Sequence, residues 1–291
     1  MSVDMPTRSQ DDSMNPPDSS WRETVDSFYS DEIEEFYEQG LDKQLDESLD
    51  PRGPDLLFEI AGELGLAGAS RVLDVGSRVG KQMLELRSRF GAAVVGVEPA
   101  PANLRRMKRT SPDVPLAVVR AIGEALPFPA AAFDLVWVRD VLVHFASLDP
   151  AFAEFRRVLK PGGAVLVFAV VATDLLEPRE AERLWRWTAV VPSSADVANF
   201  ERAAADAGLA IERHEILHGE WREFSEESGE KRTSGQLLRV ARMVRAPERY
   251  KALIGDQSYE EELANCLYGI YQLLGKLSAA IYVLRAPGGV A

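Results

Sequence analysis

The chain has few residues of the kinds that build disulfides and metal sites. A single cysteine, Cys266, occurs among 291 residues, and the three histidines lie apart at positions 144, 214 and 218. One thiol cannot form a disulfide within the chain or a cysteine-based zinc site. We interpret Cys266 as a small buried apolar residue and expect no bound metal.

An excess of positive charge and long apolar runs are also missing. The net charge is −13, which argues against a surface that neutralises phosphates, so we expect no nucleic-acid partner. The cationic stretch at residues 101–109 predicts the solvated face of a helix. The longest apolar run, residues 164–172, is less than half of the roughly 20 residues that a membrane span needs. No secretory signal pattern opens the sequence, and we expect a cytoplasmic protein without a membrane partner.

Strands and helices alternate along most of the chain. Residues 1–20 are rich in Ser, Asp and Pro and predict a flexible tail, and residues 21–66 predict a helical segment. Strands are predicted at residues 71–75, 92–97, 116–120, 133–138, 164–170, 209–217 and 279–285. Helices are predicted between them, among others at residues 102–109, 149–159 and 195–207.

This alternation predicts an α/β fold. We expect a Rossmann-like sheet of seven mostly parallel strands with helices on both faces, and ligands at the carboxyl ends of the strands. About sixty residues between the last two strands carry apolar stripes at helical spacing. They predict a helical cap at about residues 218–277, inserted before the last strand of a domain that spans residues 67–291.

A loop with two glycines follows the first predicted strand. It runs Asp74-Val75-Gly76-Ser77-Arg78-Val79-Gly80. A glycine directly after a strand allows close approach of a ligand, and the helix N-terminus that follows offers unpaired amide donors. The second strand ends in Glu98, whose carboxylate can accept hydrogen bonds from both hydroxyls of a ribose. Together the two elements predict a site for an adenosine-containing cofactor.

Other sites with similar loops fit less well. A nicotinamide dehydrogenase prefers Gly-x-Gly-x-x-Gly, whereas the glycines here are Gly76 and Gly80. A serine hydrolase needs Gly-x-Ser-x-Gly, and Val75 stands at the first glycine position. A structural turn that binds nothing is the remaining alternative.

Several blocks, in order, resemble class I S-adenosylmethionine (SAM)-dependent methyltransferases, in the branch that acts on small molecules. Residues 72–80 resemble the cofactor loop, residues 123–128 and 133–136 the adenine-side segment and fourth strand, and residues 141–144 and 155–163 the next two blocks. The resemblance implies SAM as cofactor and S-adenosylhomocysteine as product. It assigns cofactor binding to Asp74, Gly76, Ser77, Arg78, Gly80, Glu98, Pro99, Ile122, Gly123 and Glu124. Arg139 is added to this set because it ends the fourth strand, where the alternatives are contact with a polar substrate or a structural ion pair with Asp140.

Two residues depart from the family pattern. Arg78 replaces the middle glycine of the loop, and Ile122 replaces the usual acid before the adenine segment. We expect Arg78 either to turn outward or to reach the methionyl carboxylate of the cofactor. Ile122 would pack on the adenine ring, while nearby backbone groups replace the missing acid.

His144 is the predicted catalytic base. It follows the fourth strand, close to the expected position of the methyl group, and the free pKa of histidine near 6.5 suits general-base work. The alternative is that His144 only shapes the pocket or caps a helix. Substrate binding is predicted for one acid and five aromatic residues, although core packing is the alternative for each aromatic. These residues are Asp140, Tyr29, Tyr37, Trp185, Tyr268 and Tyr271.

Two functions follow from these features. The first is a SAM-dependent methyltransferase that methylates an oxygen, nitrogen or carbon atom of a small aromatic or heterocyclic metabolite, by analogy with natural-product tailoring enzymes of secondary metabolism. The second is a non-catalytic SAM-binding or regulatory protein on the same scaffold. In either case we expect a small-molecule partner and a monomer or homodimer.

Overall fold

The computed structural model describes residues 19–110 and 115–288, and the chain divides into two compact units, Met1–Leu49 and Asp50–Ala291. The tail predicted for residues 1–20 lies almost wholly outside the described residues. Three short helices form the described part of the first unit: α1 (Ser19–Phe28), α2 (Asp31–Glu38) and α3 (Leu41–Leu45). Since the division falls after Leu49, the helix near residue 60, which the sequence analysis assigned to the N-terminal segment, belongs to the second unit.

A sheet of seven strands forms the centre of the second unit. The strands are β1 (Arg71–Val75), β2 (Ala93–Val97), β3 (Ala117–Val119), β4 (Phe133–Arg139), β5 (Leu159–Ala172), β6 (Ala210–His218) and β7 (Leu277–Arg285). Their order in the sheet is β3-β2-β1-β4-β5-β7-β6. β1 to β5 pair in parallel, and β7 runs antiparallel to both of its neighbours. The predicted mostly parallel, seven-stranded sheet is confirmed.

Helices cover both faces of this sheet. In chain order they are α4 (Leu56–Glu63), α5 (Lys81–Phe90), α6 (Pro101–Thr110), α7 (Leu148–Val158), α8 (Pro178–Thr188), α9 (Val197–Asp206), α10 (Glu220–Glu227), α11 (Arg232–Arg245), α12 (Pro247–Ile254) and α13 (Asp256–Leu273). On one face, Phe155 of α7 and Phe200 of α9 pack in a core with strand residues. On the other face, α4, α5, α8 and α13 bury residues such as Met83 and Ala264 against the same strands.

Two elements differ from the sequence prediction. β5 begins at Leu159, directly after α7, so the Lys-Pro-Gly-Gly block lies inside the strand rather than in a turn before residue 164. α8 was not predicted, although its first turn carries a capping box in which the Glu177 amide donates to Glu180 at 3.1 Å. The four helices α10 to α13 occupy the region predicted as a cap, and we call them the cap.

The parallel strands β1 to β5 end at the same edge of the sheet, which we call the carboxyl edge. The loops that follow β1, β2, β3 and β4 therefore meet there, and ligands of open α/β sheets bind at this edge. No helix in the described part of the chain is long and apolar enough to cross a bilayer.

Candidate functional site

The loop after β1 requires glycine at position 76. Gly76 has a φ of 75°, and a Cβ added there would lie 2.4 Å from Cγ1 of Val141 in the loop after β4. The amides of Gly76 and Ser77 both donate to the carbonyl oxygen of Val97, at 2.9 and 3.0 Å. These two amides therefore hold the loop to the end of β2 instead of serving as free donors for a ligand.

Arg78 and Gly80 complete the turn into α5. Gly80 has a φ of 81°, and a Cβ there would lie 2.4 Å from Cδ1 of Leu116. Arg78 has a φ of 52° and an exposed side chain, and its amide donates to Oε2 of Glu98 at 2.9 Å. The charge of Arg78 acts on Asp140 at the end of β4, so its side chain, although exposed, influences the carboxyl edge.

Glu98 is largely occupied by the protein itself. Its side chain is buried, and Oε1 accepts hydrogen bonds from the amide of Ala100 at 2.9 Å and from Nδ2 of Asn103 at 3.0 Å. Oε2 accepts the Arg78 amide. A carboxylate has about four acceptor sites, so roughly one, on Oε2, remains for a ligand. The predicted contact to both ribose hydroxyls stays a prediction, and one hydroxyl fits the available site better than two.

Asp74 is the site's unsatisfied carboxylate. It is 2% exposed, and its Oδ2 has no hydrogen-bond partner within the described chain. Burial raises the pKa of Asp74 to about 7, with Glu98 adding to the rise and Arg139 opposing it. A buried carboxylate without a partner is costly unless a positive or donating group meets it. SAM carries an ammonium and a sulfonium group, so the residues present fit this cofactor.

The predicted adenine segment lies against the end of β1. A Cβ on buried Gly123 would lie 2.6 Å from the Phe145 ring and 3.3 Å from Val75. Ile122 is 48% exposed, which leaves an apolar side chain available to a planar ring. Glu124 is half-buried, and the Pro99 carbonyl accepts Nε of Arg120 at 3.3 Å. The structure thus brings residues 120–124 to the carboxyl edge, and their contacts with adenine stay predictions.

Arg139 lies at the end of β4 beneath the cap. Its guanidinium is 5.4 Å from the ring centroid of Trp221 in α10, and Trp221 stacks on Phe168 of β5 at 3.9 Å. Burial lowers the pKa of Arg139, against the opposing effect of Asp140 and Asp74. This cation–π contact holds the guanidinium of Arg139 close enough to Asp74, a predicted cofactor-binding residue, for the two charges to interact.

His144 is presented by a short 3₁₀ turn, Leu142–His144. Its Nδ1 lies 2.9 Å from the carbonyl oxygen of Ala189. A carbonyl can only accept, so Nδ1 carries the proton in this contact and Nε2 is left as the acceptor of a neutral ring. The side chain is exposed, which leaves Nε2 able to meet a substrate.

Two predicted substrate residues lie next to this turn. Trp185 of α8 and Tyr268 of α13 both pack against the small cluster that contains Val143, the neighbour of His144. Burial raises the pKa of Tyr268 well above its usual value, and the charge of Asp140 raises it further. Trp185, Tyr268 and His144 therefore share one region of the carboxyl edge.

Asp140 directly follows β4, and its side chain is exposed to solvent. Desolvation by the surrounding protein raises the pKa of this carboxyl, whereas His144 in its protonated form and the guanidinium groups of Arg139, Arg222 and Arg78 lower it. Its φ is 55°, and its amide donates to the Phe168 carbonyl at 2.8 Å. Asp140 is thus the acid on which the cationic residues of this edge converge.

Three other predicted substrate residues have different surroundings. Tyr271 lies with its ring 5.4 Å from Nζ of Lys276, and Lys276 pairs with Glu180 at 2.6 Å. Tyr29 and Tyr37 belong to the first unit, beside α1 and within α2. The roles of these three tyrosines stay predictions.

Sequence reasoning missed Arg222 of α10. It is half-buried, its Nε donates to Oε1 of Gln272 at 3.3 Å, and its charge acts on Asp140 and Tyr268. No local pattern marks it, because its position depends on how α10 packs on α13.

A cavity of about 210 Å³ lies at the opposite edge of the sheet, lined by residues such as Asp134, Lys160 and Gly162. These residues stand at the beginnings of β4 and β5, so this cavity is not part of the candidate site. Within the described ranges, no group of three His, Cys, Asp or Glu side chains could hold a metal ion.

Comparison with known proteins agrees with this geometry. Residues 73–167 match the family model described as a methyltransferase domain. Over these residues the chain carries a methyltransferase domain, of the class I SAM-dependent kind that its motifs resemble. SAM is the cofactor of such a domain, and the matched range contains each of the cofactor residues predicted from Asp74 to Arg139.

Relatives of this methyltransferase domain differ in the atom that they methylate. The chain is 33% identical over 129 residues to the sterol 24-C-methyltransferase of Gibberella zeae. This alignment covers 43% of this chain and 34% of that relative. It is 31% identical over 129 residues to the erythromycin 3''-O-methyltransferase of Saccharopolyspora erythraea, covering 43% and 42%. The chain spans about a third to a half of the length of the curated relatives it matches.

A solved structure extends the likeness to most of the fold. Geranyl diphosphate C-methyltransferase from Streptomyces coelicolor, in complex with Mg²⁺, geranyl diphosphate and S-adenosylhomocysteine, aligns with a TM-score of 0.57 at 17% identity. The alignment covers 79% of this chain and 78% of that one. At this identity the likeness shows the fold alone.

Proposed function

We propose that this protein transfers the methyl group of SAM to a small molecule bound at the carboxyl edge, between the turn after β4 and the cap. The observation that carries the proposal is Asp74, which is buried with an unpartnered oxygen at the end of β1. Next to it lie the glycine loop, with its left-handed backbone, and Glu98, in an arrangement that suits a cationic, ribose-containing cofactor.

The protein's own part in the reaction is to place the acceptor. When bound, SAM supplies an electrophilic methyl group on a positively charged sulfur. Trp185 and Tyr268 offer aromatic surface for a planar acceptor, and both lie beside the turn that carries His144. Holding the acceptor atom in line at near-attack distance can supply on the order of 7–11 kcal/mol of the barrier reduction.

His144 gives the proposal its finer detail. The contact of Nδ1 with Ala189 fixes the ring so that Nε2 is the basic atom. A base is useful when the acceptor atom is protonated at working pH, as in a phenol or an amine. We therefore place an oxygen or nitrogen atom of an aromatic or heterocyclic metabolite ahead of carbon as the acceptor.

The experiment has a binding step and a turnover step. SAM is first titrated into the full chain by calorimetry, and labelled SAM is then offered with a panel of small phenols and aromatic amines. A protein that releases no heat with SAM and gains no thermal stability from it contradicts the proposal at its first step.

His144→Ala tests the base, with His214→Ala as its matched control. His214 stacks on Tyr282, at 4.1 Å between ring centroids, on strands β6 and β7. Loss of general-base catalysis lowers kcat by about 10²–10⁴-fold, so His144→Ala should show that loss with SAM affinity changed less than about twofold. Full activity in His144→Ala would end the assignment of the base while leaving SAM binding intact.

A further inference from the structure

A second cavity lies within the cap and is strongly basic. It has a volume of about 410 Å³ and is lined by Arg222, Lys231, Arg232, Gly235, Gln236 and Arg239. Four of these six residues are cationic, in a chain whose net charge is −13. Positive charge is therefore concentrated here against the overall balance of the protein, which is a reason to look for an anionic ligand.

The cavity is formed by one face of α11. Arg232, Gly235, Gln236 and Arg239 are spaced three and four residues apart, so their side chains share a face of the helix. Gly235 stands in the helix interior, where glycine is unfavourable, and a Cβ added there would meet open space. This glycine keeps the face free for a ligand at a cost to helix stability.

The positive charge of the cavity is only partly neutralised by the protein. Arg232 pairs with Glu230 at 2.6 Å, and Arg239 pairs with Glu262. Arg222 instead donates hydrogen bonds to neutral carboxamide oxygens, those of Gln272 at 3.3 Å and Gln236 at 3.4 Å. Burial lowers the pKa of Arg222 and the charge of Arg232 lowers it further, against the opposing effects of Asp140 and Glu226. A half-buried guanidinium of this kind is stabilised when an anion comes to meet it.

Gln236 holds Arg222 in place on the cavity wall. Its Oε1 accepts Nη1 of Arg222, and its Nε2 lies 3.4 Å from the carbonyl oxygen of Asn265 in α13. The backbone of Gly269 lies so close that an added Cβ would be 2.0 Å from Oε1 of Gln236. The packing of α11 on α13 thus fixes the orientation of the Arg222 guanidinium group at the cavity wall.

The cavity lies next to the carboxyl edge. Arg222 directly follows Trp221, whose ring centroid lies 5.4 Å from the guanidinium of Arg139 at the end of β4. Gln272, which accepts Nε of Arg222, donates its own Nε2 to the carbonyl oxygen of Tyr268 at 3.3 Å. A molecule whose reactive end lies near His144 can therefore extend toward Arg222. The cavity and the proposed acceptor site form neighbouring parts of one binding region.

We propose that this cavity binds the anionic group, a carboxylate or a phosphate, of the molecule that the protein methylates. The assignment of the anion to the acceptor rests on the proposed function, whereas the anion site itself does not. Arg222 and Arg232 provide the charge, Gln236 fixes the orientation of Arg222, and Gly235 provides the room.

The test measures anion binding without turnover. The full chain is titrated with pyrophosphate, phosphate and benzoate by calorimetry at low salt, first alone and then after saturation with S-adenosylhomocysteine, which fills the cofactor's own carboxylate site. We expect at least one anion to bind, with at least tenfold weaker affinity in both Arg222→Gln and Arg232→Gln. Arg242→Gln, on the same helix but outside the cavity lining, should bind within twofold of the native protein.

The outcomes separate the possible sources of the anion. Preference for benzoate assigns a carboxylate to the acceptor, and preference for pyrophosphate or phosphate assigns a phosphate. Anion binding that S-adenosylhomocysteine abolishes would make this the cofactor's carboxylate site and overturn the proposal. The proposal would also be overturned if Arg222→Gln, Arg232→Gln and Arg242→Gln all lost anion affinity equally, or if the native protein bound none of the anions. Because SAM titration is measured separately, failure here leaves the methyltransferase proposal standing.

Discussion

The carboxyl edge around β1 and the cavity in the cap both contain charged side chains, but they are built from different parts of the chain. The proposed cofactor site at β1 consists of two buried acids and a backbone loop, in which Gly76 and Gly80 adopt conformations that other residues rarely accept. The proposed anion site in the cap consists of long cationic side chains on helices of regular geometry. A side chain in the cap can be exchanged without disturbing the helix that carries it, whereas the loop at β1 tolerates little change.

This difference explains what can vary between related proteins. The family match covers residues 73–167 and ends before α8, so it includes the loop and excludes the cap. A shared cofactor calls for a similar loop, while each acceptor needs its own arrangement of side chains. Substitutions in the two regions should therefore have effects of different kind as well as different size.

The largest effect is expected at Asp74. The pKa of Asp74 is 3.8 in the unfolded chain and about 7 in the folded protein. The folded state therefore binds more protons between these values, so the free energy of unfolding falls as the pH rises from about 4 to 7 and stays low above pH 7. Since one pKa unit corresponds to about 1.36 kcal/mol, Asp74→Asn should raise the free energy of unfolding at pH 8 by up to about 4 kcal/mol. It should also weaken SAM binding, because the carboxylate is the proposed partner of a positive group. Urea denaturation from pH 4 to 8 and calorimetry with SAM measure both effects.

Asp134 provides the matched control at the other end of the sheet. Burial acts to raise its pKa, but the hydrogen bonds from Lys160 and from the Arg71 amide lower it overall. Asp134 therefore contributes stability above its unfolded pKa that is lost as the pH falls, and Asp134→Asn should lower stability at pH 8 while SAM affinity is unchanged. If both variants change stability in the same direction, the assignment of Asp74 as an unsatisfied buried acid is wrong.

Gly76→Ala should have the next largest effect. The left-handed backbone costs an alanine roughly 1 kcal/mol, and the clash with Val141 adds about 1–3 kcal/mol. Gly162 has the same φ of 75° with nothing within 4 Å of an added Cβ, so Gly162→Ala isolates the backbone cost. We expect chemical denaturation to show the larger loss for Gly76→Ala, and SAM affinity to fall in that variant alone. Adding Val141→Ala should recover part of the stability; if it recovers none, the contact with Val141 is not the cause.

The sequence predicted the loop and the sheet well because both depend on local pattern. Alternating apolar segments placed the seven strands to within a few residues for most of them, and Asp74, Gly76 and Glu98 are found at the strand ends where the motif puts them. β5 was predicted too short because its first residues, Lys160-Pro161-Gly162-Gly163, favour a turn but pair in the strand here.

The cap could be predicted only in outline. Its apolar stripes indicated helices, but which polar side chains face the cleft depends on packing between helices distant in sequence. Arg222 reaches its position through Gln236 and Gln272, neither of which is near it in the chain. One local signal was present: the series Arg232, Gly235, Gln236 and Arg239 at helical spacing, with a glycine where a helix normally avoids one.

Trp221→Leu should give a smaller change than the two substitutions at β1. It removes the stack on Phe168 and the cation–π contact with Arg139, each of which contributes on the order of 1 kcal/mol. The free energy of unfolding should fall by about 1–2 kcal/mol, and the KM for the acceptor should rise by a larger factor than the Kd for SAM. Trp221→Phe retains an aromatic face and should lie close to the native protein in both measurements. A larger loss of affinity for SAM than for the acceptor would mean that Trp221 acts chiefly through Arg139 on the cofactor.

Gly235→Ala is expected to change the free energy of unfolding least, and we expect this change to be an increase. An alanine in the helix interior raises the free energy of unfolding by about 0.5–1 kcal/mol, and its methyl group enters open space in the cavity. Gly62→Ala in α4 should give the same gain, since its added Cβ would make an ordinary 3.6 Å contact with Phe90 far from the cap cavity. Anion binding should weaken in Gly235→Ala, more so in Gly235→Leu, and not at all in Gly62→Ala. If Gly235→Leu is stable and still binds the anion with native affinity, the open space above this glycine has no part in binding. Substitutions in the cap and in the loop at β1 would then differ only in their effects on stability.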